Sequence, residues 1–243
     1  MWVSIPYSFV WLFNSSQTEI IISIFIMFLL GVNQSAFLHR SWTHKAWTPS
    51  TPINILALFF HTVSLFGPSY GWICVHRKHH LYSDTPKDPH SPKYMSRYKI
   101  FFWPYFNKIE SKFIIDLVKD KYHVFFFKHY WKINIIWLLI MYSCGVLYLW
   151  LASVGLILLC IHLIGAWLHK SPFSKDEGPG NSIFNSLFAW NGEAWHKNHH
   201  DEPTNWNFSK EWWQFDMSAM FIRIMVLLRL AKFEKNVIGK NNE

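Results

Sequence analysis

Residues 76–80 read His-Arg-Lys-His-His, and residues 196–200 repeat the pattern as His-Lys-Asn-His-His. On a helix, positions i, i+3 and i+4 lie on one face, so each copy directs three imidazoles to one side. Neutral imidazole is the commonest metal ligand in proteins, and it is usually presented by several convergent side chains. The repeat therefore predicts a metal site built from two distant parts of the chain.

A third pair of histidines, His39 and His44, is separated by four residues. On a regular α-helix this spacing turns the two side chains well apart, so it predicts a helix end or a π-type turn. We call residues 39–44, 76–80 and 196–200 box one, box two and box three. They contain eight of the fourteen histidines, namely His39, His44, His76, His79, His80, His196, His199 and His200.

Eight imidazoles are too many for a single first-row metal ion, which takes about four to six ligands. The count therefore predicts two metal ions in one site. Two closed tetrahedral zinc sites would also use eight ligands, so the count leaves a structural role open. Elsewhere, His61 is expected to be packed or hydrogen-bonded within the protein, and His123 to lie at a membrane interface.

The composition is that of a membrane protein, because 51% of the 243 residues are hydrophobic, 19% are aromatic, and the apolar residues form long runs. We predict a single domain, residues 1–243, with an all-α integral membrane fold. Three to four transmembrane helices would carry a cytoplasmic helical cap that holds a dimetal site.

The apolar runs predict crossing helices at about 18–38, 133–150 and 153–169, with a tight turn between Tyr148 and Gly155. Residues 52–70 are expected to be re-entrant or interfacial, because a full crossing there would place box one and box two on opposite sides of the membrane. Residues 1–13 are expected to be interfacial, or to form a fourth crossing if they insert. Residues 211–231 are expected to form an amphipathic helix at the membrane surface.

The net charge of +8 is unevenly distributed, with no Lys or Arg before Arg40 and none between Ile133 and His169. The positive-inside rule therefore places the boxes on the cytoplasmic side of a multi-pass protein. A basic surface at a membrane favours anionic lipids or phosphorylated substrates, and no motif for nucleic acid is present. The compact size favours a bacterial inner membrane over the endoplasmic reticulum.

The three boxes resemble those of membrane fatty-acid desaturases. Box one reads His-Arg-Ser-Trp-Thr-His, box two is followed by Asp84 and by Asp-Pro-His at 88–90, and Gly-Glu-Ala-Trp at 192–195 precedes box three. The spacing of box one and the Asp-Pro-His continuation resemble the Δ9, stearoyl-CoA-desaturase-like branch. The resemblance implies a di-iron enzyme that uses O2 and two electrons to insert a cis double bond, at Δ9, into a fatty acyl chain.

The resemblance also implies ligand roles for the eight box histidines and a ninth ligand at His169, which matches the histidine of the family's Asn-Ser-x-x-His motif. Here Gly165 and Ala166 replace the motif's Asn and Ser. This departure leaves the coordination of the second iron open, with a water molecule or His162 as the substitute.

Several charged residues near the boxes are candidates for supporting roles. Asp84, Asp88 and Glu193 are expected to orient imidazole N–H groups. Arg77 and Lys78 are expected to bind phosphates of the substrate head group, on an acyl-CoA, an acyl-lipid or an acyl carrier protein. The chain has no His-Pro-Gly-Gly haem motif, so an external ferredoxin or cytochrome b5 is the expected electron donor.

Two other functions stay open at this point. A di-iron lipid hydroxylase or ketolase of the same superfamily could use the same ligands. A non-catalytic membrane metal-binding protein is a further alternative, although it predicts polar residues along the crossing helices. The run from Ile133 to Leu168 contains no charged residue, which speaks against the second alternative.

Overall fold

The structure, a computed structural model, describes residues 4–102, 110–167, 179–181 and 189–234. Its secondary structure is mostly helical. The α-helices, in chain order, are α1 (Ser4–Asn14), α2 (Gln17–Val32), α3 (Thr51–Val63), α4 (Ser69–Tyr82), α5 (Arg97–Phe102), α6 (Lys121–Lys128), α7 (Tyr130–Ser143), α8 (Leu147–Trp167), α9 (His196–Asp201) and α10 (Met217–Leu227). A π-helix covers Asn33–Thr43, two 3-10 turns cover Ser111–Phe113 and Leu117–Lys119, and two short strands are β1 (Trp47–Pro49) and β2 (Ala231–Phe233).

Helix α2 begins at a capping box in which the Ser16 side chain accepts from the Glu19 backbone N–H and the Glu19 carboxylate accepts from Ser16. The helix continues without a break into the π-helix, and residues 17–43 are long and apolar enough to cross a membrane. This agrees with the crossing helix predicted at 18–38. Among the described residues it is the only single helix that meets this criterion, and α6 with α7, bent by 65°, would be a second if they formed one span.

The turn between α7 and α8 lies earlier in the chain than the sequence analysis placed it. The backbone N–H of Gly145 donates to the Tyr142 carbonyl at 3.0 Å, and that of Val146 donates to the Met141 carbonyl at 3.0 Å. These two bonds form a Schellman motif, with Gly145 at φ +70° in the left-handed position. The predicted turn between Tyr148 and Gly155 is therefore wrong, and the two helices occupy Tyr130–Ser143 and Leu147–Trp167 instead of 133–150 and 153–169.

Helices α1 and α2 pack against α8. The Ser8 hydroxyl donates to the Ala152 carbonyl at 3.0 Å. Gly31 of α2 leaves no space for a Cβ, because the Trp190 ring and the Ile157 side chain of α8 lie directly against it. This close approach joins the first apolar helix, α8 and the segment that leads into box three.

Helices α3 and α4 are separated by a break at residues 64–68, where Leu65 and Gly67 have positive φ angles. Helix α3 has 13 residues, which is shorter than the roughly 20 needed for a simple crossing. The structure therefore agrees with a short helix in the 52–70 region. Its re-entrant or interfacial placement in a bilayer stays a prediction.

The C-terminal part differs from the sequence analysis in two ways. Helix α10 covers Met217–Leu227 and not 211–231, because Asp216 caps its first turn and Arg229, at φ +59°, ends its last. The chain then forms β2, which pairs antiparallel with β1. The all-α prediction misses this small two-stranded sheet.

Candidate metal centre

The π-helix brings box one together. The backbone N–H of His44 donates to the carbonyl of His39 at 3.2 Å, an i to i+5 bond. The wider turn compensates for the spacing of four intervening residues, and the two imidazole centroids lie 5.1 Å apart. All eleven residues of the π-helix are buried. The predicted π-type turn is confirmed, and it extends over a full helix.

Five histidines from the three boxes form one group. The Nε2 atom of His199 lies 3.0 Å from Nε2 of His39 and 2.8 Å from Nε2 of His80. The Nε2 atom of His76 lies 3.0 Å from that of His80 and 3.1 Å from that of His44. The five nitrogens therefore face a common centre, in an arrangement that could hold a metal ion.

The other three box histidines form a second group, which could also hold a metal ion. The Nε2 atom of His200 lies 3.1 Å from that of His196 and 3.4 Å from that of His79. The two groups adjoin, because the rings of His80 and His200 stack with centroids 4.4 Å apart. Box two and box three each contribute to both groups, since their helices turn neighbouring histidines in different directions.

The environment keeps several of these imidazoles neutral. Burial lowers the pKa of His44, His76 and His199 well below the ordinary value, and the neighbouring histidines lower it further. A neutral ring with a free lone pair is the form that binds metal.

Two carboxylates orient rings of candidate ligands, one in each group. Glu193 accepts from Nδ1 of His39 at 2.8 Å, and Asp88 accepts from Nδ1 of His79 at 2.8 Å. Burial alone would raise the pKa of Glu193, but the electrostatic interaction and the hydrogen bond with His39, with help from Arg40 and Ser35, outweigh burial and lower it. A proton held on Nδ1 leaves the lone pair on Nε2, so both rings present a ligand atom to the centre of their group.

Asp84, the third predicted carboxylate, supports the loop that carries Asp88. Its backbone N–H donates to Asp88 Oδ2 at 2.8 Å, and its Oδ1 accepts from the Ser91 hydroxyl at 2.5 Å. Asp88 also accepts from the backbone N–H of His90 at 2.9 Å. The loop therefore fixes the carboxylate that meets His79.

The donor sets fit first-row metal ions. Two ligand nitrogens about 2.1 Å from one ion and at a right angle to each other would lie about 3.0 Å apart. The distances between neighbouring Nε2 atoms in the five-histidine group, 2.8–3.1 Å, match this value. Lone pairs brought so close together repel one another unless a cation lies between them, which indicates a site made for a metal.

The ninth predicted ligand, His169, lies outside the described residues. Gly165 and Ala166, which replace the family's Asn and Ser, lie in the last turn of α8. His162, the proposed substitute, is buried in α8 and donates from Nδ1 to the Leu158 carbonyl at 2.6 Å. The structure places His162 in neither of the histidine groups found among the described residues.

The head-group role predicted for Arg77 is wrong. Its five N–H groups all donate inside the protein, to the carbonyls of Trp42, Thr43 and Phe113 and to both oxygens of Asp116. No donor is left for a phosphate. Lys78 forms an ion pair with Glu110 at 2.7 Å, and its head-group role stays a prediction.

The two histidines that the sequence analysis set apart from the boxes lie outside both groups. His61 is buried and its Nδ1 lies 2.8 Å from Gln34 Oε1, so the predicted hydrogen-bonded role is confirmed. His123 is also buried, against the rings of Trp42 and Tyr70. Its position at a membrane interface stays a prediction.

A buried ion pair lies beside the site, and it was not predicted from the sequence. Arg40, the residue after the His39 ligand candidate, donates to Asp216 Oδ2 at 2.9 Å, and both side chains are almost fully buried. An arginine inside a buried helix signals a carboxylate partner, since an unpaired buried charge is costly. Nothing in the linear sequence indicates that Asp216, 176 residues away, is that partner.

An apolar cavity of about 670 Å³ lies between α2, α3 and α10. Its lining includes Leu30, Phe37, Phe60, Trp150 and Phe221, and the only polar residue among its lining residues is Asn33. Phe37 lies two residues before His39. An apolar compartment therefore borders the helix that carries box one.

The comparison with known proteins gives several relatives, although no protein-family model matches the chain. Acyl-CoA desaturase 1 of Saccharomyces cerevisiae is 26% identical over 239 residues, which cover 89% of this chain and 46% of that protein. Stearoyl-CoA desaturase of Capra hircus is 27% identical over an alignment of 257 positions, which covers 95% of this chain and 67% of that protein. Delta-9 acyl-lipid desaturase 2 of Arabidopsis thaliana is 25% identical over 219 residues, with 83% and 69% covered. The chain thus spans about half the length of the yeast relative and about two thirds of the other two.

Proposed function

We propose that this chain, which is similar to acyl-CoA, stearoyl-CoA and Delta-9 acyl-lipid desaturases over most of its length, is a membrane di-iron acyl desaturase that inserts a cis double bond at Δ9. The observation that carries the proposal is the convergence of all eight box histidines into two adjoining groups. O2 is the co-substrate, and two electrons come from an external donor.

The five-histidine group holds one iron ion and the three-histidine group holds the other. His169, which lies outside the described residues, stays the proposed ninth ligand. An iron pair, when bound, supplies the activation of O2 that removal of hydrogen from an unactivated carbon requires. The protein contributes neutral imidazoles, the carboxylates that orient His39 and His79, and a buried setting that limits access of water.

The substrate is a fatty acyl chain. The named relatives include both acyl-CoA and acyl-lipid desaturases, so the carrier is a CoA, a glycerolipid or an acyl carrier protein. The apolar helices and the cavity beside box one support an apolar substrate, because burial of an acyl chain needs an apolar lining. Lys78 is the remaining candidate for contact with the head group.

The protein is placed in a bilayer as a multi-pass protein with the boxes on the cytoplasmic side, in a bacterial inner membrane. The distribution of Lys and Arg supports this orientation. A reduced ferredoxin or cytochrome b5 docks on the same side and delivers the electrons.

Fatty-acid analysis of a host that lacks its own Δ9 desaturase tests the proposal. Cells that express the wild-type chain are expected to accumulate a cis-Δ9 monoene. His79→Ala is expected to abolish the product at equal membrane expression, whereas His129→Ala, which changes a histidine outside both groups, should leave it. Hydroxy fatty acids would point to oxygen insertion instead, and an unchanged profile with metal bound would contradict a catalytic role.

A further inference from the structure

Residues 206–216 connect the end of box three to helix α10 and contain no histidine. We propose that this segment, here called the bracket, is a positioning element. It sets the metal affinity of the five-histidine group by fixing the positions of box one and box three relative to each other. The proposal rests on the proposed metal centre. Asp216 connects the bracket to box one, and Gln214 connects it to box three.

The first connection is the buried ion pair between the bracket and box one. Asp216 Oδ2 accepts from Arg40 Nη1 at 2.9 Å and from the Phe208 backbone N–H at 3.0 Å. Arg40 Nη1 also donates to the Trp206 carbonyl at 2.8 Å. Both ends of the bracket therefore bind the residue that follows His39. A charged hydrogen-bonded pair in a buried setting allows few alternative orientations, which suits it to fixing the rotation of the π-helix.

The same pair contacts the turn that leads into box three. Arg40 Nη2 donates to the Asn191 carbonyl at 2.9 Å. A Cβ added to Gly192 would overlap both the Asp216 carboxyl and the Arg40 guanidinium, and Gly192 has φ +94°. Only glycine fits this position. Glu193, the next residue, orients His39, so displacement of the ion pair would also move that carboxylate.

The second connection anchors box three itself. Helix α9 has six residues, too few to be stable alone, yet it must direct His199 to one group and His196 to the other. Asn198 lies between them and is buried. Its Nδ2 donates to Gln214 Oε1 at 2.9 Å and to the Phe208 carbonyl at 2.8 Å. The bracket therefore fixes the rotation of α9 through an amide that binds no metal.

The bracket also packs directly on two candidate ligands. The Phe208 ring lies 4.6 Å from the ring of His199 and 5.4 Å from that of His39, measured between centroids. The Arg40 guanidinium also contacts Phe208, with its carbon 3.8 Å from the ring centroid. The Phe208 ring therefore contacts the ion pair and also imidazoles of box one and box three. A shift of the ion pair would move these imidazoles through Phe208.

The test is a Co²⁺ titration of the metal-free, full-length protein in detergent, followed by its visible absorption spectrum. The variants are Asp216→Asn and Gln214→Leu, and Asp201→Asn is the matched control. Asp201 is an exposed carboxylate at the end of α9, paired with Lys197 at 2.8 Å and with Lys210 of the bracket at 3.8 Å. Exposed ion pairs of this kind contribute little, so their loss should not move the bracket. His44→Ala identifies the binding step of the five-histidine group, because it removes one ligand of that group and should weaken that step alone.

Asp216→Asn is expected to weaken this step about 10- to 100-fold and to change the spectrum, as loss of a partner that orients a ligand does. Asp201→Asn should match the wild type. Unchanged affinity and spectrum in a folded Asp216→Asn variant would overturn the proposal. If that variant does not fold, Gln214→Leu decides by the same criteria. Tight Co²⁺ binding in a wild type that makes no monoene would refute the proposed function alone, whereas a wild type that binds no Co²⁺ would refute both.

Discussion

His39 and His79 each donate a hydrogen bond from Nδ1 to a carboxylate, and their Nε2 atoms face the centre of a histidine group. Glu193 serves the five-histidine group and Asp88 serves the three-histidine group. Each carboxylate therefore contacts a histidine of one group only. A substitution at Glu193 or Asp88 can change one proposed metal position without changing the other.

Glu193→Gln and Asp88→Asn should each weaken metal binding at one position by about 10- to 100-fold and leave the other position nearly unchanged. The change keeps the size of the side chain but removes the charge that holds the ring proton. Anaerobic titration with Fe²⁺ measures both steps. Glu202→Gln is the control, because Glu202 is a half-buried carboxylate near box three that pairs with Lys210. Equal weakening of both steps by one variant would contradict the assignment.

Arg77 shows what residue types predict and what they do not. A basic residue inside box two is a reasonable candidate for a phosphate ligand, but its partner Asp116 lies 39 residues away in a loop whose path has no local signal. Burial raises the pKa of the Asp116 carboxyl, yet the hydrogen bonds and charges of Arg77 and Lys45 outweigh burial and hold the pKa below its ordinary value. The pair therefore stabilises the fold.

Asp116→Asn should lower the free energy of unfolding by about 2 kcal/mol at neutral pH. Because the folded pKa is depressed, the stabilisation is complete above the unfolded pKa of about 4 and is lost as the pH falls through the folded pKa. The difference between wild type and variant should therefore shrink below pH 4. Unfolding in detergent across this pH range measures it, and a difference independent of pH would contradict the ion-pair origin.

At the scale of elements, the boxes predicted more of the structure than the apolar runs did. The wider spacing of box one agrees with the π-helix that the structure shows. The i, i+3, i+4 spacing of box two and box three correctly predicts that their histidines converge, but each helix divides its three histidines between the two groups. Helix ends were less predictable. The run from Ile133 to Leu168 is apolar throughout, so its hydropathy has no minimum at the turn, and Gly145 is distinguished only by its backbone conformation.

The Schellman turn at Gly145 gives a prediction about the α7–α8 hairpin. Gly145→Val should destabilise the protein by about 1–2 kcal/mol, because a β-branched residue in the left-handed region is strained. Gly145→Asn should cost less, since Asn tolerates this conformation. Thermal unfolding in detergent compares the two variants. Equal midpoints for both variants and the wild type would place the turn elsewhere.

The bracket and the C-terminal strand lie beyond what local patterns could predict. Asp216 and Gln214 act through partners that are distant in the sequence, and β2 pairs with β1 across more than 180 residues. The amphipathic pattern of the C-terminal region was recognised, but the polar residues before Met217 belong to the bracket and not to the helix.

At the scale of the whole molecule, the three boxes must lie on one side of the membrane, and the structure brings them together. If α7 and α8 both cross, the turn between them lies on the opposite side. Cys144 is exposed in that turn, which provides a native label site. The two sides of the protein can therefore be distinguished without disturbing the metal centre.

A membrane-impermeant maleimide added to intact spheroplasts should label Cys144 from outside. Lys197→Cys, combined with Cys144→Ser, should react only after permeabilisation, because Lys197 is exposed beside box three, which is predicted to lie on the cytoplasmic side. Cys144→Ser alone is the control for background labelling at Cys74 and Cys160. Labelling of both positions from the same side would contradict the predicted topology.

The most direct test of the account is the number of ferrous ions bound by the metal-free, full-length protein under anaerobic conditions. The convergence of the eight box histidines predicts two Fe²⁺ per chain, with one step weakened in His44→Ala and the other in His196→Ala. A folded wild-type protein that binds one Fe²⁺ or none would contradict the claim that the boxes form a two-metal centre.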